Sequence, residues 1–156
     1  MTHTKAAERR MEQLRDASLD DARLHELIEL MLSGALRRQL WLLFLDANDR
    51  MSDVILPTDD FPHAPDEPVV SGDLGPTTAA RLMAARLPPM CEAIGASQVV
   101  LVWEREGDDG FQVEELAWAR AISQALHGAD VRMRAQFVLH DDGLRALTPD
   151  DYAVVN

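Results

Sequence analysis

The 156-residue chain is long enough for one domain with a hydrophobic core, since 47% of its residues are apolar. Its net charge of −12 would repel a phosphate backbone, which makes nucleic acid an unexpected partner. The sequence has no apolar run of the ~18 residues that a bilayer requires. We therefore expect a protein without membrane contact. Because the chain has only one cysteine, we expect no internal disulfide, and a cytoplasmic protein fits both features.

Two helices are predicted in the N-terminal part of the chain. Residues 5–16 fit a charged helix, and Ser18 or Asp20 can cap a second one. The second helix carries a broad apolar stripe at helical spacing. Its members are Leu24, Leu27, Ile28, Met31, Leu32, Ala35 and Leu36. We expect segment 1–38 to pack on a domain formed by residues 39–156, with the stripe buried against a sheet or against a second copy in a homodimer.

Two strands and a long loop follow these helices. Apolar residues 40–46 lead into an Asn-Asp turn and then into residues 51–57, which predicts a β-hairpin with a central first strand. The stretch from Pro57 to Pro76 is rich in proline and acidic residues. It is predicted to be a loop without regular structure, either disordered or extended along the surface.

A helix is predicted directly after this loop. Pro76 suits a first helical turn, and Thr77 and Thr78 can help to cap it. The two prolines that follow Leu87 are expected to end or kink this helix.

The remaining sequence alternates strand and helix. Residues 97–104 form a β-branched strand, 111–127 an amphipathic helix and 131–140 a last strand. The chain then ends in a turn and a tail, where Thr148 can cap a short turn. The order of elements predicts a three-layer α/β domain with a mixed sheet, an α+β arrangement being the alternative.

Three stretches together resemble a known family. They are "LWLLFLDANDRMSDVILP" (40–57), "ASQVVLVWEREGDDG" (96–110) and "FVLHDDGLRALTPDDY" (137–152). The sequences of these stretches and their order along the chain resemble the RadC-type branch of the JAMM/MPN metalloprotease family, whose fold is similar to that of cytidine deaminases. The resemblance spans residues 38–152 and implies a three-layer α-β-α domain.

Active members of that family hold zinc through a pattern written H-x-H-x7-S-x-x-D. Two imidazoles and an aspartate bind the metal, a water fills the fourth position, and an upstream glutamate takes the proton of that water. Trp103 and Arg105 stand at the two histidine positions. Neither side chain can replace a histidine ligand. An indole has no imidazole nitrogen to bind zinc, and a guanidinium has no lone pair to donate and would repel Zn²⁺ by its charge. The resemblance therefore implies the scaffold without its zinc-binding residues.

The second half of the pattern fits no better. Without a gap, Val113 and Leu116 stand at the serine and the aspartate. One deletion in the turn places Gln112 and Glu115 there instead, which restores one potential ligand. The upstream strand offers Asp53 where the family has glutamate. We therefore expect no metal or other cofactor, and a degenerate cleft formed by Trp103, Arg105, Asp108, Gln112 and Glu115.

The turn between the predicted strand 97–104 and the following helix is rich in carboxylates. Six carboxylates surround the turn: Glu104, Glu106, Asp108, Asp109, Glu114 and Glu115. Oxygen ligands suit Ca²⁺ or Mg²⁺, but the spacing does not follow an EF-hand, so a solvated acidic rim is the favoured interpretation.

A site assembled in space is the alternative to an inactive domain. Asp53, His63, His140 and Asp141 could together form a relocated hydrolase site, although none of the histidines has ligand spacing. Cys91 is expected to be a small buried side chain and not a nucleophile.

The aromatic residues suggest how an inactive domain could act. Trp103 and Arg105 could fill the former cleft, with Arg105 paired to Glu104 or Glu115. Alternatively, the cleft could bind a peptide or protein through Trp103 and Trp118, although Trp118 is more typical of a core residue. The sequence thus favours a non-catalytic RadC/JAMM-like domain that acts by binding a protein or peptide.

Overall fold

A computed structural model describes residues 4–153, which fold into helices and strands joined by loops. The helices are α1 (Lys5–Arg15), α2 (Asp21–Met31), α3 (Ala79–Ile94), α4 (Val113–Leu126) and α5 (Pro149–Tyr152). The strands are β1 (Gln39–Leu45), β2 (Met51–Thr58), β3 (Pro68–Ser71), β4 (Gly75–Thr78), β5 (Gln98–Glu104), β6 (Arg132–His140) and β7 (Gly143–Leu147). Residues 1–3, at the start of the predicted segment 1–38, and residues 154–156, at the end of the predicted domain 39–156, lie outside the described residues.

The main sheet has five strands in the order β2-β1-β5-β6-β7. Strands β5 and β6 run parallel, because α4 connects them, while the other neighbouring pairs are antiparallel. Helices lie on both faces of the sheet. The predicted class, a three-layer α/β domain with a mixed sheet, is confirmed.

Strict alternation along the central strands divides the core into two halves. Val99, Leu101 and Trp103 of β5 face α3 and α4, whereas Val100 and Val102 face α1 and α2. Successive side chains of a strand point to opposite faces, so a strand that is covered on both sides is apolar at nearly every position. This alternation puts residues 103 and 105 on the same side of the sheet.

The N-terminal helices and the first hairpin form as predicted. Asp20 caps α2, its carboxylate accepting from the Arg23 amide at 2.8 Å. Strand β1 lies between β2 and β5, so its predicted place inside the sheet is confirmed. The apolar stripe packs on the sheet through fully buried residues: Leu24, Leu27 and Ile28. Helix α2 ends before Leu32, so Ala35 and Leu36 do not extend the stripe.

The expectation of a structureless loop between Pro57 and Pro76 holds for residues 59–67, which form no helix or strand, but is wrong for the second half of the stretch. Strands β3 and β4 form a second, small hairpin there, with Val69 opposite Thr77. Valine and threonine suit strands, and Gly75 takes a φ of 70° just after the turn. Pro76 lies in β4 and not in the first turn of a helix.

The predicted helix after this hairpin begins at Ala79 and is longer than expected. Thr78 caps it, its hydroxyl accepting from the Arg81 amide at 3.3 Å. The prolines do not end the helix near Leu87, because α3 continues through Pro88 and Pro89 to Ile94. Buried residues on both sides of the prolines, among them Leu87 and Cys91, anchor the helix on the sheet and hold it together despite the lost backbone hydrogen bonds.

The predicted tail contains a strand that the sequence pattern did not indicate. Strand β7 pairs antiparallel with β6 and places Leu144 opposite Leu139. After it, Thr148 and Asp151 form a capping box at the start of α5, which confirms Thr148 as a cap. Within residues 4–153, none of the helices is long and apolar enough to cross a bilayer.

Candidate functional site

The degenerate cleft lies where β5 ends and the turn to α4 begins. Trp103 is the sixth residue of β5, and Arg105 follows the strand on the same side of the sheet, below α4. Both are buried, at 3% and 8% of their full exposure. The Arg105 amide donates to the Leu139 carbonyl at 3.1 Å, which fixes the end of the strand against β6.

Arg105 forms an ion pair with Glu115. Its Nε lies 2.7 Å from Oε1 of Glu115, and its Nη2 lies 3.2 Å from Oε2. The guanidinium also donates to the carbonyls of Asp108 and Gly110, the latter at 2.6 Å. A buried ion pair is tolerable only when hydrogen bonds satisfy both partners, and the turn supplies these carbonyl acceptors.

Glu115 is placed by the start of α4. It is the third residue of that helix, and its Oε2 accepts from the Gln112 amide at 3.0 Å, which closes a capping box. A carboxylate in the first helical turn also faces the positive end of the helix dipole. Glu115 is therefore anchored by its own helix and by Arg105 at once, at 4% exposure.

Trp103 is held by one hydrogen bond and by aromatic neighbours. Its Nε1 donates to Oε1 of Gln136 at 2.9 Å, and the Gln136 amide donates to the Ala119 carbonyl of α4 at 3.1 Å. Its ring lies 5.7 Å from the Trp118 ring. Phe61, from the stretch after β2, packs edge-on against both tryptophans at 5.7 and 5.6 Å between ring centres. The indole is thus a core side chain with its polar atom satisfied.

Glu104 points to the opposite face of the sheet and takes no part in this ion pair. Its carboxylate accepts from the Leu36 and Arg37 amides at 2.8 and 3.1 Å, from Gln39 at 3.0 Å and from the Trp41 indole at 2.7 Å. Burial raises the pKa of Glu104, but these hydrogen bonds together outweigh it and hold the pKa below its usual value. Glu104 ties the segment between α2 and β1 to the sheet.

The five predicted cleft residues are only partly brought together. Trp103, Arg105 and Glu115 form the buried centre. Asp108 is exposed; its carbonyl accepts from Arg105, while its carboxylate accepts from the Gly110 amide at 3.0 Å. Gln112 is exposed and contributes its amide to the capping box.

The six carboxylates near the turn do not form one cluster. Glu106, Asp108 and Asp109 are exposed, as expected for a solvated rim, but Glu104 and Glu115 are buried on opposite faces of the sheet. Among the described residues, no group of three or more His, Cys, Asp or Glu side chains is placed to hold a metal ion.

The residues of the alternative site lie in different parts of the fold. Asp53 is on edge strand β2 and contacts Arg15 of α1 at 3.5 Å. His63 contacts Glu114 of α4, on the other side of the sheet. His140 ends β6, which is separated from β2, the strand of Asp53, by β1 and β5. Its Nδ1 accepts from the Asp142 amide at 3.2 Å. Asp141 is exposed beside it.

Cys91 lies in α3 with its side chain in the core, at 2% exposure. Burial raises the pKa of its thiol, so the thiolate needed for nucleophilic attack is disfavoured at neutral pH. The thiol acts as a small apolar side chain.

Sequence patterns gave no indication of two further residues at this site. Phe61 covers both tryptophans, and Arg38 stacks on the Phe61 ring with its guanidinium carbon 3.9 Å from the ring centre. Phe61 is the only aromatic residue between Pro57 and Pro76, and this is the one signal that could have drawn attention to it.

The geometry leaves little room for chemistry at the cleft. The guanidinium of Arg105 donates four hydrogen bonds, and the Glu115 carboxylate accepts three, so most of the hydrogen-bonding capacity of both groups is used within the chain. A scan of protein-family models and a search of curated proteins found no match to this chain.

Proposed function

We propose that this chain is a RadC/JAMM-like domain that has no hydrolase activity and acts by binding another protein or a peptide. The ion pair between Arg105 and Glu115 is the observation that carries the proposal. It lies at the end of β5 and the start of α4, where the family resemblance puts the zinc ion and its water. The order of hairpin, helix, strand, helix and strand, which that family shares, supports the same proposal.

Loss of hydrolysis follows from the chemistry of the side chains at this place. A zinc hydrolase needs about three protein ligands and an open position for water. Here a permanently protonated guanidinium takes the central position, and Glu115, the one carboxylate available, is neutralised by it. No group at this place is poised to activate a water molecule.

An apolar groove supports a binding role. It has a volume of about 310 Å³ and runs between α3 and the sheet beside Phe61 and Trp118. Half-buried Met83 and Met90 form one wall. Concave apolar surfaces of this size accept ligand groups, and methionine side chains adapt their shape to different partners.

Assays of peptide and isopeptide hydrolysis, with and without added zinc, test the proposal. We expect no turnover above that of a Glu115→Gln variant under any condition. Zinc-dependent turnover that this substitution abolishes would overturn it. Turnover that His140→Ala abolishes would instead favour the relocated site, although Asp53, His63 and the adjacent His140 and Asp141 lie in three different parts of the fold.

Location and assembly remain part of the proposal. A single buried thiol fits a cytoplasmic protein, where disulfides are rare. A homodimer through the α2 stripe needs exposed apolar surface. Leu24, Leu27 and Ile28 of the stripe are fully buried, whereas Leu36, which follows the helix, is 80% exposed. Light scattering of the purified chain decides between a monomer and a dimer.

A further inference from the structure

Residues 59–63 lie against the domain as a bound peptide would. They are here called the cis segment, because they belong to the same chain as the surface that they cover. Within residues 4–153, its residues 60–62 belong to no helix or strand and take part in no backbone–backbone hydrogen bond. Side chains of the domain hold the segment instead. This is the pattern of peptide recognition, in which a fixed receptor surface supplies donors and pockets to an extended chain.

The main chain of the cis segment is recognised at two carbonyls. Arg38 donates to the Phe61 carbonyl at 2.9 Å and to the Pro62 carbonyl at 3.2 Å. The Trp118 indole donates to the Pro62 carbonyl at 3.0 Å. Arg38 is itself fixed by Glu114, at 3.2 and 3.3 Å. Arg38 and Trp118 therefore form a clamp on the carbonyls of an aromatic–proline pair.

The side chains of the cis segment are recognised as well. The Phe61 ring is enclosed by Trp103, Trp118 and the Arg38 guanidinium. Two positions earlier, Asp59 pairs with Arg37. Pro62 restricts the residue before it to an extended conformation, so an aromatic–proline pair enters such a clamp with little loss of freedom.

The surface extends beyond the cis segment. Phe61 and Pro62 form part of one wall of the apolar groove of about 310 Å³, which continues along α3 past Met83 and Met90. A partner peptide with a similar aromatic residue could therefore occupy the Phe61 site and reach further along α3 than the chain itself does.

We propose that Arg38, Trp103 and Trp118 form a peptide-binding surface that the cis segment occupies within its own chain. Its partner is a segment with an acidic residue two positions before an aromatic residue that is followed by proline. Such a partner binds by replacing the cis segment, which keeps the surface covered in its absence. This inference rests on the proposed binding function and specifies its surface and partner class.

A labelled peptide tests the proposal on the full-length chain. The probe has the sequence of residues 57–67, and its matched control carries Phe61→Ala. Fluorescence anisotropy measures binding of both to the wild-type protein and to the Phe61→Ala protein. Because a covered site binds in proportion to the fraction of molecules in which it is open, we expect the probe to bind the variant at least ~10-fold more tightly than the wild type. We expect the control peptide to bind neither.

A third protein, with Phe61→Ala and Arg38→Ala together, should lose probe binding, because the carbonyl clamp is gone. If circular dichroism shows that Phe61→Ala is unfolded, Phe61→Leu takes its place, since leucine keeps the apolar contact but removes the aromatic ring.

Failure of a folded variant to bind the probe, or equal binding of the control peptide, would overturn the proposal. The hydrolysis assays are independent of this result. Zinc-dependent turnover would reject the proposed function without bearing on this surface, whereas a missing peptide complex would reject the surface alone.

Discussion

Arg105 and Glu115 are joined inside the domain by two hydrogen bonds of 2.7 and 3.2 Å, and both side chains are at most 10% exposed. The pair links the end of β5 to the first turn of α4. Under the proposed function, it also closes the place where the family resemblance would put a metal.

Removing one partner of this pair should destabilise the fold strongly. Glu115→Ala leaves a buried guanidinium without its counter-charge, which costs about 3–5 kcal/mol of unfolding free energy. Urea unfolding followed by tryptophan fluorescence measures the change. The exposed pair of Arg10 and Glu26, 2.8 Å apart, is the matched control, and Glu26→Ala should have a far smaller effect.

The double variant Arg105→Met/Glu115→Leu separates charge from packing. Replacing both partners by apolar side chains removes the unpaired charge, so this variant should regain most of the stability lost in Glu115→Ala. If Glu115→Ala were no worse than the Glu26→Ala control, the pair would not be the buried anchor described here.

Glu104 should make stability depend on acidity. Because its folded-state pKa is lowered, its contribution is fully present above its unfolded pKa and is lost as the pH falls through the folded pKa. Glu104→Gln keeps the shape but cannot accept from four donors with a full charge, and should lose about 1–3 kcal/mol at neutral pH.

Urea unfolding measured from pH 7 down to pH 3 tests this. The difference between wild type and Glu104→Gln should shrink as the pH falls. A difference that is constant over this range would show that the carboxylate charge of Glu104 does not contribute.

Replacing an interior proline of α3 should stabilise the domain. Pro89 is exposed, and Pro89→Ala restores an amide that can donate to the carbonyl of Ala85. Proline in a helix interior costs up to about 3 kcal/mol, so we expect a gain of about 1–3 kcal/mol in thermal or urea unfolding. Glu92→Ala, at another exposed position of α3, is the control and should change little. A loss of stability in Pro89→Ala would mean that the proline ring itself is needed for packing.

Cys91 should be unreactive in the folded protein. Its thiol is buried and its pKa is raised, so both access and thiolate formation are limited. Reaction with a thiol reagent such as DTNB should be slow in buffer and fast in denaturant. Rapid stoichiometric reaction of the native chain would contradict the position of Cys91 in the core.

The parts of the fold that the sequence predicted are those whose own pattern determines them. Strands β1 and β5 and the end of β6 are apolar on both faces because helices cover both sides, and α2 and α4 show helical spacing. Strand β7 has no such pattern; its short edge segment becomes a strand through pairing with β6, which no local signal reveals. Helix α3 continues through its prolines because tertiary packing outweighs the lost hydrogen bonds.

The sequence likewise predicted only part of the candidate site. The sequence predicts Glu104 or Glu115 as the partner of Arg105. The structure selects Glu115, because the third residue of α4 lies against the end of β5, whereas Glu104 points to the opposite face of the sheet. Phe61 and Arg38 were not predicted, since they meet only when the stretch after β2 folds back across α4.

The zinc content of tag-free protein, measured by mass spectrometry after dialysis against micromolar zinc, tests whether the domain has lost its metal site. With Arg105 and Glu115 paired, we predict no stoichiometric zinc in the wild type and no change in Trp103→Ala. One zinc ion per chain, lost when Glu115 is replaced by glutamine, would contradict the proposed loss of the metal site.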